Sequence, residues 1–196
     1  MRLWRLRRTL YLWDRCAAYE PEMPLLRMDC HGVVAMRFAY ADPPYVGQGR
    51  LYKGREVNHP LLIAHLAEVF PDGWALSCSS PSLRFLLPLC PDDVRVAAWV
   101  KPFAVFKPNV NPAYAWEPVI FRGGRKRGRT AMTVRDWISA PITMETGLVG
   151  AKSEAFALWI FDLLGMEPGD ELEDVFPGTG AVTKAWGRFQ RRMVMA

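Results

Sequence analysis

Apolar positions fall into two rhythms along the chain. Runs in which nearly every residue is apolar, or apolar and polar residues alternate, predict strands at Val33 to Ala41, Trp74 to Ser79, Val94 to Val100, Trp116 to Phe121 and Glu171 to Phe176. Between them, apolar residues at helical spacing predict a helix opened by Asn58-His59-Pro60, with Leu62, His65, Leu66, Val69 and Phe70 on one face. A second helix starts at the N-cap candidate Ser153, carries Phe156, Trp159, Ile160, Leu163 and Leu164, and stops at Gly165; a third covers Ala181 to Phe189. A short helix fits Ser82 to Leu89, and Pro118 suggests a bulge or an edge position for its strand. Strands alternating with helices predict an α/β fold with a doubly wound sheet.

Two strand ends carry the chemistry. Val33 to Ala41 runs directly into Asp42-Pro43-Pro44-Tyr45, which places a carboxylate at a strand's carboxyl end. The two prolines remove two backbone donors and fix the turn, and Tyr45 adds a flat face. An acceptor, a rigid carbonyl and an aromatic plane suit an exocyclic amine on a planar base. By itself the box reads equally well as an ordinary Asp-Pro turn. The second strand end is Asp174-Val175-Phe176-Pro177-Gly178-Thr179-Gly180, a sharp turn leading into a helix whose free amides face whatever lies over it. It is neither a full dinucleotide fingerprint, because Thr183 stands at the third glycine position, nor a phosphate loop, because Lys184 is followed by Ala185.

Both boxes resemble those of the amino-methyltransferases that use S-adenosylmethionine (AdoMet) to methylate exocyclic amines of DNA bases. Asp42, Pro43, Pro44 and Tyr45 match the catalytic box; Asp174, Phe176, Gly178, Thr179 and Gly180 resemble the cofactor box. Gly147 to Glu154, containing Lys152, resembles the box that precedes the cofactor strand, with Ser153 where the family has Pro; Trp99 and Lys101 keep the spacing of a W-x-K segment, and Trp116-Glu117-Pro118-Val119 is similar to a W-E-x-[IV] segment. The order, catalytic box first and cofactor box last, is that of the permuted branch, and the resemblance covers roughly residues 36–189. It implies one compact Rossmann-like AdoMet-dependent methyltransferase domain over residues 1–196, a cytoplasmic location, no metal, and transfer of a methyl group to the N6 amine of adenine in DNA. Lys152 would face the AdoMet carboxylate. The acid that holds the AdoMet ribose in the family is missing from the stretch after Phe189 or supplied from elsewhere. A catalytically inactive nucleic-acid-binding module, an RNA adenine methyltransferase and a DNA cytosine-N4 methyltransferase are the alternatives.

Composition changes the picture only in places. The 196 residues are 51% apolar, enough for one sizeable core, and carry a net charge of +5, which favours a polyanionic partner. Two glycine-containing loops concentrate that charge: Val46 to Val57 with Arg50, Lys53 and Arg55, and the 122–146 region with Arg122, Arg125, Lys126, Arg127 and Arg129. Together with Lys101 they are the candidate phosphate contacts to double-stranded DNA holding a flipped base. A basic, amphipathic extension occupies residues 1–24. With no large insertion for target recognition, the site read is short, or a homodimer or separate specificity partner reads it. Cys16, Cys30, Cys78 and Cys90 lack metal-ligand and disulfide-framework spacing, and no apolar run is long enough to span a bilayer.

Overall fold

The computed structural model describes residues 35–49, 56–102, 109–145 and 148–191. Of the sequence expectations, the basic extension 1–24, Arg50, Lys53, Arg55, Cys16 and Cys30 lie outside the described residues.

A six-stranded sheet organises the rest. Strand β1 (Arg37–Ala41) pairs in parallel with β2 (Gly73–Ser77) on one side. Beyond β2 come β3 (Arg95–Val100), β4 (Trp116–Gly123) and β5 (Trp137–Ser139), and the last large strand, β8 (Glu171–Asp174), pairs in parallel with β1 on its other side. The order is β5-β3-β4-β2-β1-β8, with β4 antiparallel to both of its neighbours. A separate ribbon pairs β6 (Thr143–Glu145) with β7 (Leu148–Ala151).

The near-continuous apolar run of β1 is what a strand covered on both faces requires. Its period of two divides the interior. Phe38 and Tyr40 join one core with Trp99, Phe121, Phe156 and Phe161; Ala39 and Ala41 join the other with Leu62, Ile63, Leu66, Trp74 and Leu76. Helix α1 (His59–Val69) covers the second core. It starts where expected: Asn58 Oδ1 accepts from the Leu61 amide at 3.0 Å, and Pro60 sits in the first turn. The expected helix over Ser82 to Leu89 is one turn of α-helix, α2 (Leu83–Leu86), flanked by 3-10 turns at Ser80–Ser82 and Leu87–Leu89. On the opposite face lie α3 (Glu154–Leu164) and α4 (Ala181–Arg191). Ser153 caps α3 by accepting from the Phe156 amide at 3.3 Å, and Gly165 ends it at φ 63°, a left-handed conformation that favours glycine.

One expectation is corrected. Pro118 lies in an interior strand with unbroken register against β3, neither at an edge nor in a bulge. Its carbonyl accepts from Cys78 N, so its nitrogen faces the same side, one residue past the paired end of β2, where no ladder donor is needed. Asp170 is buried: it accepts from the amides of Met36 and Glu167 and from Arg125, and so ties the start of β1 to the start of β8.

Candidate active site

Four of the five parallel strands deliver Asp42, Cys78, Lys101 and Asp174 to one edge of the sheet; β4 runs the other way, so its beginning brings Glu117 to the same edge. Chain order reverses at β1, whose neighbours are β2 and β8, and an open sheet of this kind leaves a crevice at that switch point. Tyr40 pairs with Asp174, and the Val175 amide donates to the Tyr40 carbonyl at 2.9 Å. The two boxes, 132 residues apart in sequence, are thus adjacent ends of paired strands.

Asp42 belongs to a chain of alternating charges. Lys152, only 6% exposed, places Nζ 3.2 Å from Asp42 Oδ2 and 2.9 Å from Glu117 Oε2. Lys101 Nζ pairs with Glu117 Oε1. Both ammonium groups lie over the Trp99 ring, at 4.9 Å for Lys101 and 5.0 Å for Lys152. Burial pushes the Asp42 carboxyl above its ordinary range, with Lys152 limiting the rise. For Glu117 burial acts in the same direction, but two lysines outweigh it and hold the carboxyl below its usual range. Burial works against the Lys152 charge, yet the two carboxylates raise its pKa. The resemblance puts Lys152 on the cofactor side, and the charge distribution puts Lys101 among the candidate phosphate contacts; both ammonium groups are placed within this cluster.

The rest of the catalytic box is braced from behind. Pro43 and Pro44 are buried, Tyr45 is half-buried, and the buried His59 ring lies against the carbonyls of Pro44 and Val57. Burial lowers its pKa and so favours the neutral imidazole. Glu56 closes the following loop by accepting from the amides of Gly47 and Gly49. Burial pushes the Cys78 thiol up to about 12, so this cysteine at the site edge is no thiolate nucleophile near neutral pH.

On the other side of the crevice, Asp174 Oδ2 accepts from Thr183 Oγ1 at 2.8 Å, whereas its Oδ1 is buried without a hydrogen-bond partner. Burial raises this carboxyl to about 6. Gly178 and Gly180 turn the chain at φ 47° and 72°, and a Cβ at either would meet nothing nearer than 3.9 Å. Glycine is required here by the left-handed backbone, and the space beside the turn stays open. Phe176 is half-buried beside it. The raised Asp174 carboxyl has a consequence for stability. Folding resists its ionisation, so wild type loses stability as pH rises from about 4, the range of the unfolded group, through about 6. Asp174→Asn is therefore expected to match wild type below pH 4 and to be more stable above pH 6 by about 3 kcal/mol, read from urea melts across that window.

The basic 122–129 loop is elsewhere. Gly123 pairs with Gly73, at the start of β2, so the loop leaves from the amino edge of the sheet. Five steps along the strand lead from Glu117 to Arg122, about 17 Å at about 3.4 Å per residue. Arg122 pairs with Asp93 at 2.6 Å, and Arg125 with Asp170 at 2.6 Å and Glu167 at 3.4 Å; Arg127 donates to the carbonyls of Asp162 and Met132. Lys126 and Arg129 are exposed. The structure brings Asp42, Lys101, Lys152 and Asp174 together and leaves Arg122, Arg125, Lys126, Arg127 and Arg129 at the opposite edge. Glu117 was not among the candidate site residues; its signals are its place in the W-E-x-[IV]-like segment and its being a lone acid opening an otherwise apolar strand.

Together, the strand order, the helices on both faces and the crevice at the switch point define an α/β, Rossmann-like fold. Two solved structures share it: the M1.HpyAVI-SAM complex, with TM-score 0.56 and 17% identity over 80% of each chain, and M1.HpyAVI, with TM-score 0.53 and 16% identity over 80% of this chain and 78% of that one. No protein-family model and no curated protein matches the sequence. Among the described residues there is no helix long and apolar enough to cross a membrane and no cluster of side chains able to hold a metal ion.

Proposed function

We propose that this chain transfers a methyl group from AdoMet to the N6 amine of adenine in DNA. The observation that carries the reading is the adjacency of Asp42-Pro43-Pro44-Tyr45 and the Asp174 to Gly180 turn at the carboxyl ends of paired strands, in a fold shared with a protein solved in complex with SAM (AdoMet). The residues present suit such a cofactor: an open glycine turn at a helix start and the partnerless Asp174 oxygen offer close approach and an acceptor to a polar, cationic molecule. Asp174, Phe176, Gly178, Thr179 and Gly180 would hold it, and bound AdoMet supplies an electrophilic methyl on a sulfonium.

The chain's own work is on the base. An adenine amine is a poor nucleophile because its lone pair is delocalised into the ring. Asp42 and the Pro43 carbonyl accept its two hydrogens, which returns the lone pair to nitrogen, while Tyr45 stacks on the extruded base. As the new carbon–nitrogen bond forms, the methyl–sulfur bond of the donor would break to leave a neutral thioether, and the surplus proton of the methylated amine passes to solvent. Phosphate contacts are assigned to Arg50 and Lys53, outside the described residues, and to Lys126, Arg127 and Arg129 on flanking DNA, since acids of this chain already hold Arg122 and Arg125.

The test is transfer of labelled methyl from AdoMet to unmodified duplex DNA, with the product nucleosides separated. Label in N6-methyladenine is expected. Label in N4-methylcytosine would move the substrate, label only with RNA would move the polymer, and no label together with no calorimetric binding of AdoMet would end the enzyme reading.

A further inference from the structure

We infer that Lys152 and Glu117 are positioning residues for Asp42: Glu117 anchors the Lys152 ammonium, and that ammonium holds one Asp42 oxygen so that the other faces the substrate amine. The inference rests on the proposed role of Asp42 as amine acceptor, and its argument is one of donors and acceptors. A lysine has three N–H donors. Lys152 directs its ammonium to Asp42 Oδ2 and Glu117 Oε2 and sits over the faces of Trp99 and Phe156, at 5.0 and 5.6 Å. Each Glu117 oxygen is taken by a different lysine, Oε1 by Lys101 and Oε2 by Lys152. Glu117, 17% exposed and doubly engaged, has little to offer a substrate; Asp42, 29% exposed and held through Oδ2 alone, has Oδ1. Two acids and two lysines leave the cluster neutral, so a neutral base meets no net charge there.

An alternative role for Lys152 is to hold the AdoMet carboxylate, and the two roles separate by titration. The groups around Asp42 are Lys152, Glu117, Lys101, Tyr40, Cys78 and Asp174. Tyr40 and Cys78 stay neutral across the acid range, their pKa values pushed up by burial. Asp174 titrates within that range, so the measurement is made in an Asp174→Asn background to uncouple it.

The Asp42 resonance in protein labelled with ¹³C at aspartate carboxyls, assigned by its loss in Asp42→Asn, is followed against pH. Removing the lysine charge in Lys152→Met is expected to raise the Asp42 midpoint by about one unit or more, Lys152→Arg to restore most of it, and Glu117→Gln, which removes a like charge, to lower it. Shifts of opposite sign support positioning, because a purely structural loss gives no such pair. Shifts of the same sign, or none, overturn it, as does a tenfold weaker AdoMet affinity in Lys152→Met with Asp42 unmoved. Should Lys152→Met fail to fold, the near-isosteric Glu117→Gln and the charge-conserving Lys152→Arg decide the question. The titration needs no turnover: opposed shifts in a protein that transfers no methyl group would sink the functional reading and leave the positioning intact.

Discussion

Replacing Asp42 with Asn is expected to lower kcat for methyl transfer by about 10²–10³-fold while leaving AdoMet affinity within about twofold. The size of the effect follows from the geometry. Asn is nearly isosteric, so packing against the box is preserved, but its two ends differ. Lys152 Nζ, 3.2 Å from Oδ2, is a donor and selects the Asn carbonyl for that place. The amide NH2 then turns outward and presents a donor where the substrate amine also presents one. Asp42→Ala removes the acceptor without installing a wrong donor, so Asn should be at least as inactive as Ala. Single-turnover kinetics at saturating AdoMet and DNA, with calorimetry for the cofactor, read both quantities. An Asn variant keeping more than about a tenth of wild-type kcat would show that Asp42 is not the amine acceptor. In wild type, rate should fall with decreasing pH through the Asp42 titration, above the range of an ordinary aspartate, because burial raises its pKa.

What a sequence can signal is mostly local, and the structure agrees with it where local physics decides. The approach of β1 to Asp42, the turn at Gly178 and Gly180, the caps Asn58 and Ser153 and the stop at Gly165 each depend on residues within a few positions of one another. The direction of β4 does not. It depends on pairing with β2 and β3, and it alone decides that Glu117 faces the crevice while the arginines after Phe121 leave from the far edge. A basic loop between a strand and the cofactor box looks as though it must lie near that box; the reversed strand carries it away. Likewise, Lys152 meets Asp42 across 110 positions and Glu117 across 35, distances over which neither periodicity nor spacing carries information. Pro118 misleads for the same reason, since a rule about donors applies only where a neighbouring ladder needs one.

Asp170→Ala is expected to cost about 3–5 kcal/mol, a fall in Tm of about 10 °C for a chain of this size. One buried carboxylate does three tasks here: Oδ1 accepts from the Met36 amide at 2.9 Å and from Arg125 at 2.6 Å, and Oδ2 accepts from the Glu167 amide at 2.7 Å. Alanine leaves two amides and a guanidinium without that acceptor, at a position only 3% exposed in the native protein. Arg125→Ala should cost less, about 1–2 kcal/mol, because Asp170 keeps both amide donors. The pair also separates two roles for Arg125. If it serves the fold, Arg125→Ala weakens urea resistance and leaves the salt dependence of DNA binding unchanged. If it holds phosphate, the slope of log affinity against log salt falls by about 0.9. Because Met36 precedes β1 and Asp170 precedes β8, the clamp sets the register that places Asp42 beside Asp174 at the far ends of the same two strands. Loss of the clamp should thus weaken AdoMet binding at temperatures where the Asp170→Ala protein is still folded, although the substitution lies at the opposite edge of the sheet.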